Sequence, residues 1–187
     1  VPLHSRRNLT RYDHFIRCAL SSIAYPLLPL ITATMINALF VYGTLQQNQL
    51  RGRMWPHLPL AIEAAATRGE LYDLGSYPGI AAGSDWVLGE LWTLRPEHMR
   101  DTLNTLDAIE GYDPRNDTGP YLRRTVEVHL TPDNPSSHSR TAYTYTVASQ
   151  SILQTARRIA ATAEWQGTKV AVWPDHLARV PKRIEEE

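Results

Sequence analysis

The sequence predicts an α+β domain in which short strands outnumber helices. Three observations carry this expectation. A continuous apolar run ends in glycine at residue 43, later stretches alternate apolar or aromatic with polar residues, and one segment between them has helical periodicity. At 187 residues the chain can bury one sizeable core but not two comfortable ones.

"INALFVYG" (residues 36–43) is short, nearly all apolar and stopped by glycine, as expected of a strand covered on both faces. "QQNQLRGRMWPHLP" reads as loop with room for a helical turn. "LAIEAAATRGELYDLGSYPG" holds one or two strands, residues 64–74 being the better part, although alanine-rich "AIEAAA" suits a helix equally well by propensity. Its end, "GSYPG", has the composition of a turn. "SDWVLGELWTL" (residues 84–94) alternates, with Trp86, Leu88, Glu90 and Trp92 on one side and Val87, Leu91 and Thr93 on the other.

Pro96 suits the first turn of a helix running to about Glu110, and Gly111 suits its left-handed cap. Strands return at "YLRRTVEVHL" (121–130) and "RTAYTYTV" (140–147), separated by a polar, proline-containing loop. In the second, Ala142, Thr144 and Thr146 face opposite to Tyr143, Tyr145 and Val147. The tail "SILQTARRIAATAEW" reads as one helix followed by irregular chain.

The first 34 residues differ from the rest. Arg6, Arg7, Arg11 and Arg17 precede an uncharged run over residues 18–50, superficially like a targeting peptide, but Pro26 and Pro29 interrupt it. Residues 1–34 therefore read as a non-native or upstream-encoded extension, a targeting segment or an ordered local element. The expected division is this extension, a domain over 35–150 beginning at Met35, and a helix and tail over 151–187. With 19 basic and 19 acidic residues, no net charge favours nucleic acid or an anionic membrane. Stable membrane association is expected only if the N-terminal segment is native. A single cysteine, Cys18, excludes an internal disulfide framework and a cysteine-based zinc site, and suits a reducing compartment, with cytoplasm the default.

One residue breaks the pattern of the central helix. At about 100° per residue, Met99, Leu103 and Leu106 fall within roughly 60° of one another, and Glu110 projects into the same arc. Asp101, Asn104 and Ala108 point elsewhere. Burial and the negative end of the helix dipole both favour the neutral acid, so the pKa is expected to rise. That suits a group that accepts and returns a proton near neutral pH. Alternatively Glu110 pairs with Arg123 or Arg124, or reaches solvent where the helix frays.

Other constellations are weak. The seven histidines make no His-x-x-x-His spacing, so no metal is assigned. Neither GxxxxGK[ST], GxGxxG nor GxSxG occurs, which removes the usual supports for nucleotide phosphate binding and a serine nucleophile. The arginines of "TARRIAATAEW" have little aromatic interleaving, and no RNA partner is expected.

"LFVYGTL", then "GELYDLGSYPG" with "VLGELW", then "LDAIEGYDP" and "YLRRTVEV" occur in an order and spacing that resemble the gamma-glutamylcyclotransferase-like superfamily, particularly its AIG2-like branch. The resemblance covers residues 37–147. It implies a small mixed-strand β-barrel flanked by helices, with a pocket between the loop after the first strand and the end of the helix. It also implies that Tyr42, Gly43, Thr44 and Leu45 line the substrate cavity, that Glu110 is the catalytic acid/base, and that Tyr121 lies near the pocket. Gln46 and Gln47 depart from the basic residue often found after this loop. The implied activity is release of an amine or amino acid from a small gamma-glutamyl compound with formation of 5-oxoproline, without metal or organic cofactor. A non-catalytic small-molecule-binding or interaction protein on the same fold is the alternative.

Independently, Gly43 after a buried strand allows a sharp turn and close approach of a ligand to main-chain N–H groups, although an ordinary strand-ending turn explains it too. Thr44 can add a hydroxyl donor. Tyr42 and Tyr121 also read as core or rim aromatics. Residues 46–60 and 112–120 are the expected pocket walls.

Overall fold

The computed structural model describes residues 35–132 and 139–174. The extension over 1–34 with Cys18, residues 133–138 of the polar loop and the acidic end lie outside the described residues. The strands are β1 (Ala38–Val41), β2 (Ala61–Asp73), β3 (Pro78–Thr93), β4 (Tyr121–His129), β5 (Arg140–Val147), β6 (Arg157–Ile159), β7 (Ala163–Trp165) and β8 (Thr168–Ala171). The helices are α1 (Met99–Glu110), entered through a 3-10 turn (Pro96–His98), and the short α2 (Gln150–Thr155).

The strands are ordered β6-β2-β4-β5-β1-β3-β8-β7, and direct pairing of β2 with β3 closes β2, β4, β5, β1 and β3 into a barrel. It is mixed, because β1 runs parallel to β5 while its other neighbour, β3, is antiparallel. This is the α+β barrel expected. A barrel this narrow is filled by side chains. Phe40, Ala65, Leu71, Ile80, Val87, Leu91, Val128 and Ala142 form that interior. Each larger one contributes about 1.5–3 kcal/mol by leaving water.

The alternation anticipated in β3 holds: Val87 and Leu91 face the barrel core, whereas Trp92 packs with α1 and Trp86 and Leu88 pack with Trp165 and Val170. A bulge interrupts the β2–β3 hairpin, where Arg68 pairs with Trp86 but Glu70 already pairs with Ala81. Such a bulge bends and twists the strands, which helps a long hairpin curl into a barrel. Met99 and Leu106 of α1 pack on Leu39, Val41, Trp92 and Leu94 outside the barrel. Gly111 ends the helix at φ 68°, its N–H on the Asp107 carbonyl.

One open choice is resolved and two expectations need correction. "AIEAAA" is strand throughout, since pairing with β3 and full burial of Ala65 and Ala66 override alanine's helical preference. The turn at "GSYPG" is narrower than its composition suggests: Pro78 opens β3 opposite Asp73, a position where its missing N–H is tolerated.

The tail is not one helix. After the six residues of α2, which bury no side chain, residues 157–159 pair with β2 and residues 168–171 include a pair of contacts with β3. Ile159 and Val170 are buried in those positions. Arg157 reaches Asp73 at 2.7 Å, and Arg158 reaches Asp85 at 2.7 Å. Gln166 and Gly167 have positive φ, 50° and 84°, the geometry of the tight turn joining β7 to β8. Open strand edges thus outcompete the local helical tendency. Among the described residues no helix is long and apolar enough to cross a membrane.

Candidate active site

Parallel β1 and β5 pair with Leu39 opposite Tyr143. Beyond that point side chains span the gap. Thr144 donates through Oγ1 to the Phe40 carbonyl at 2.9 Å, and the Tyr42 hydroxyl donates to the Tyr145 carbonyl at 2.6 Å while accepting the Ile80 N–H at 3.1 Å. A cavity of about 380 Å³ lies against these residues, with the loop after β1 and the end of α1 as further walls. Tyr42, Gly43, Thr44, Leu45, Glu110 and Tyr121, all singled out in the sequence, line it together.

The loop folds on itself. The Gln46 N–H bonds to the Gly43 carbonyl at 3.0 Å, making a turn with Thr44 and Leu45 at its centre. The Thr44 carbonyl accepts the Arg51 N–H at 2.8 Å, and the Leu45 carbonyl accepts the Trp55 indole N–H at 3.0 Å. A trans peptide sends C=O and N–H in opposite directions, so the Leu45 N–H points away from the loop interior. Trp55 stacks on Trp92 at 4.1 Å, and Glu90 Oε2 accepts the Gln47 N–H at 2.9 Å, tying the loop to β3.

Gly43 begins the turn anticipated and has a further reason to lack a side chain. Its φ lies outside the left-handed range, and a Cβ there would meet Pro78 Cγ at 2.5 Å. The absent side chain makes room for the proline that opens β3. Neither tyrosine presents a free phenol: Tyr42 is engaged as above, and Tyr121 donates to the Pro78 carbonyl at 2.7 Å.

Glu110 is 9% exposed, and loss of hydration raises its pKa, opposed by the positive charge of Arg51. The Arg51 guanidinium stands 3.7 Å from Glu110 Oε1. Burial is also the first cause of the raised pKa values of Tyr42, Tyr121 and Tyr145, and the nearby Glu110 charge adds to each. These phenols are therefore neutral at neutral pH.

The alternative pairing of Glu110 is not found. Arg123 binds Asp107 at 2.6 Å, and Arg124 binds Asp117 through two contacts of 2.6 and 2.9 Å. Sequence reasoning missed both Arg51 and Asp107. Asp107 is buried, its second oxygen accepting the Tyr145 hydroxyl at 2.7 Å. It borders the apolar arc one turn before Glu110, which was a usable signal; Arg51, inside a loop, offered no periodicity to reveal it. The anticipated walls hold in part. Arg51 and Pro120 line the cavity, but so do Leu74, Tyr77 and Pro78 from the β2–β3 turn and Ile152 from α2. Among the described residues no group of three or more His, Cys, Asp or Glu is placed to hold a metal ion.

The model of a family described as gamma-glutamyl cyclotransferase, AIG2-like, matches residues 39–167. The chain belongs to that family. The match runs past the resemblance seen in the sequence and takes in β6 and β7. The gamma-L-glutamyl-butirosin B gamma-glutamyl cyclotransferase of Niallia circulans is 30% identical over 118 residues, 63% of this chain and 70% of the relative. The gamma-glutamylcyclotransferase family protein YtfP of Escherichia coli K12 is 30% identical over 89 residues, 48% of this chain and 71% of the relative. Among solved structures, YkqA from Bacillus subtilis superposes with TM-score 0.44 at 22% identity, covering 60% of this chain and 36% of YkqA.

Proposed function

We propose that this family member cyclises gamma-glutamyl amides to 5-oxoproline and releases the amine portion. The substrate's α-amine attacks its own γ-carbonyl carbon, forming the ring C–N bond. The amide C–N bond to the leaving amine then breaks. The α-ammonium first gives up one proton to solvent to become the nucleophile, and Glu110 then takes a second from the attacking nitrogen and returns it to the leaving nitrogen. The cavity holds amine and carbonyl together, so the entropic cost of the encounter is met on binding. Donors of the Thr44–Leu45 turn receive the charge that develops on the carbonyl oxygen.

One observation supports this reading above the others: a poorly hydrated carboxylate with a raised pKa lines the same cavity as the Tyr42-Gly43-Thr44-Leu45 turn. A buried carboxylate is a cost in a pure scaffold but an asset to a proton carrier. The test is incubation with a panel of gamma-glutamyl amino acids and gamma-glutamylamines, followed by assay of 5-oxoproline. Release from a member of the panel supports the cyclisation. Binding without release marks a small-molecule-binding protein instead.

A further inference from the structure

We infer that Arg51 holds the α-carboxylate of the substrate's amino-acid head, forming with Glu110 a two-point receptor for the zwitterionic end of a gamma-glutamyl compound. The inference rests on reading the cavity as a gamma-glutamyl site and names the residue that recognises its free acid.

Three observations lead there. Among the described residues lining the cavity, Arg51 is the one cation and Glu110 the one anion. Their 3.7 Å separation lies beyond hydrogen-bond reach, so neither has its donor or acceptor capacity filled by the other. In an α-amino acid the ammonium nitrogen and a carboxylate oxygen are about 3 Å apart, as the bond lengths through the α-carbon require. The two protein groups therefore stand at a spacing that can place a carboxylate on the guanidinium and the amine on Glu110, the contact that proton abstraction needs.

The backbone fixes Arg51 in this role. Its N–H is bound to the Thr44 carbonyl at 2.8 Å, so the guanidinium and the Thr44–Leu45 turn are parts of one folded loop. At 31% exposure the side chain can meet an incoming anion without fully losing water beforehand. A planar guanidinium also matches the two oxygens of a carboxylate. Arg51 thus supplies, from further along the loop, the positive charge that Gln46 and Gln47 lack.

The experiment uses the full chain and an inert probe, S-butyl-L-homocysteine. This keeps the α-amino-acid head and puts a thioether where the scissile amide would lie. Its α-carboxamide is the comparison ligand, and binding is measured by calorimetry. The wild type is expected to prefer the acid by roughly 10- to 100-fold, the range of a charge-assisted hydrogen bond. In Arg51→Gln the preference should fall below about threefold, and Arg51→Lys should restore part of it. Melting curves separate lost recognition from lost folding. An unchanged preference in a folded Arg51→Gln, or none in the wild type, overturns the assignment. If the preference follows Arg51 but gamma-glutamyl amides yield no 5-oxoproline, the cyclisation reading fails and this assignment stands.

Discussion

Asp107 and Glu110 are successive carboxylates on the inner side of α1, separated by less than one helical turn, and each faces an arginine at a different distance. Asp107 is clamped by Arg123 at 2.6 Å and by the Tyr145 hydroxyl at 2.7 Å. Glu110 has the Arg51 guanidinium at 3.7 Å. The first arrangement holds the helix against β4 and β5. The second leaves an acid free to exchange a proton.

Asp107→Ala should therefore act on stability. It leaves a half-buried guanidinium and a buried phenol without their partner, and a loss of roughly 2–4 kcal/mol is expected. Urea denaturation measures it. Combining it with Tyr145→Phe should give less than the sum of the two single effects, because the two residues share a hydrogen bond.

Glu110→Gln should have the opposite sign. The folded pKa is raised, so the native state holds its proton more tightly than the unfolded chain, whose glutamate titrates near about 4.3. Wild-type stability contributed at this site falls as pH rises from that value through the folded pKa. Gln removes the dependence. The variant should melt higher than the wild type at neutral pH, and the difference should close at about pH 3.5. Calorimetric scans across that range read both.

Arg51 lowers the Glu110 pKa, so its removal should raise it further. Among the described residues, the charged or titratable groups facing Glu110 are Arg51 from the loop, Tyr42 from the end of β1, Tyr121 from β4 and Tyr145 from β5. Burial raises the Glu110 pKa and the phenols stay neutral, which leaves Arg51 as the charge that opposes the rise. The acid limb of kcat/KM against pH, which reports the ligand-free protein, should move to higher pH in Arg51→Gln. An unmoved limb would show that another group governs it.

The tail should behave as part of the barrel. Ile159 is 4% exposed where β6 joins β2, and Ile159→Ala is expected to cost roughly 2–4 kcal/mol in denaturant. Arg158→Ala, which removes contacts of a half-exposed side chain with Asp85 and Glu70, should cost less than about 1 kcal/mol.

Much of this site was legible in the sequence because it depends on local pattern. Helical period put Glu110 among Met99, Leu103 and Leu106, the glycine after "INALFVY" marked the end of β1, and alternation found β3, β4 and β5. Residues whose place depends on distant chain were missed. The tail is strand because β2 and β3 leave edges open to it, which nothing in "TARRIAATAEW" announces, although the Gln166–Gly167 pair was a turn signal. Arg51 reaches Glu110 only because the loop folds back through Thr44 and Trp55. Gly43 was recognised as special, but its further reason, Pro78, comes from another strand.

The most direct measurement is 5-oxoproline release from the best gamma-glutamyl amide of the panel by the wild type and by folded Glu110→Gln under identical single-turnover conditions. Proton transfer through Glu110 requires release by the wild type and a fall of at least about 100-fold in the variant. Equal release by the two proteins would contradict it.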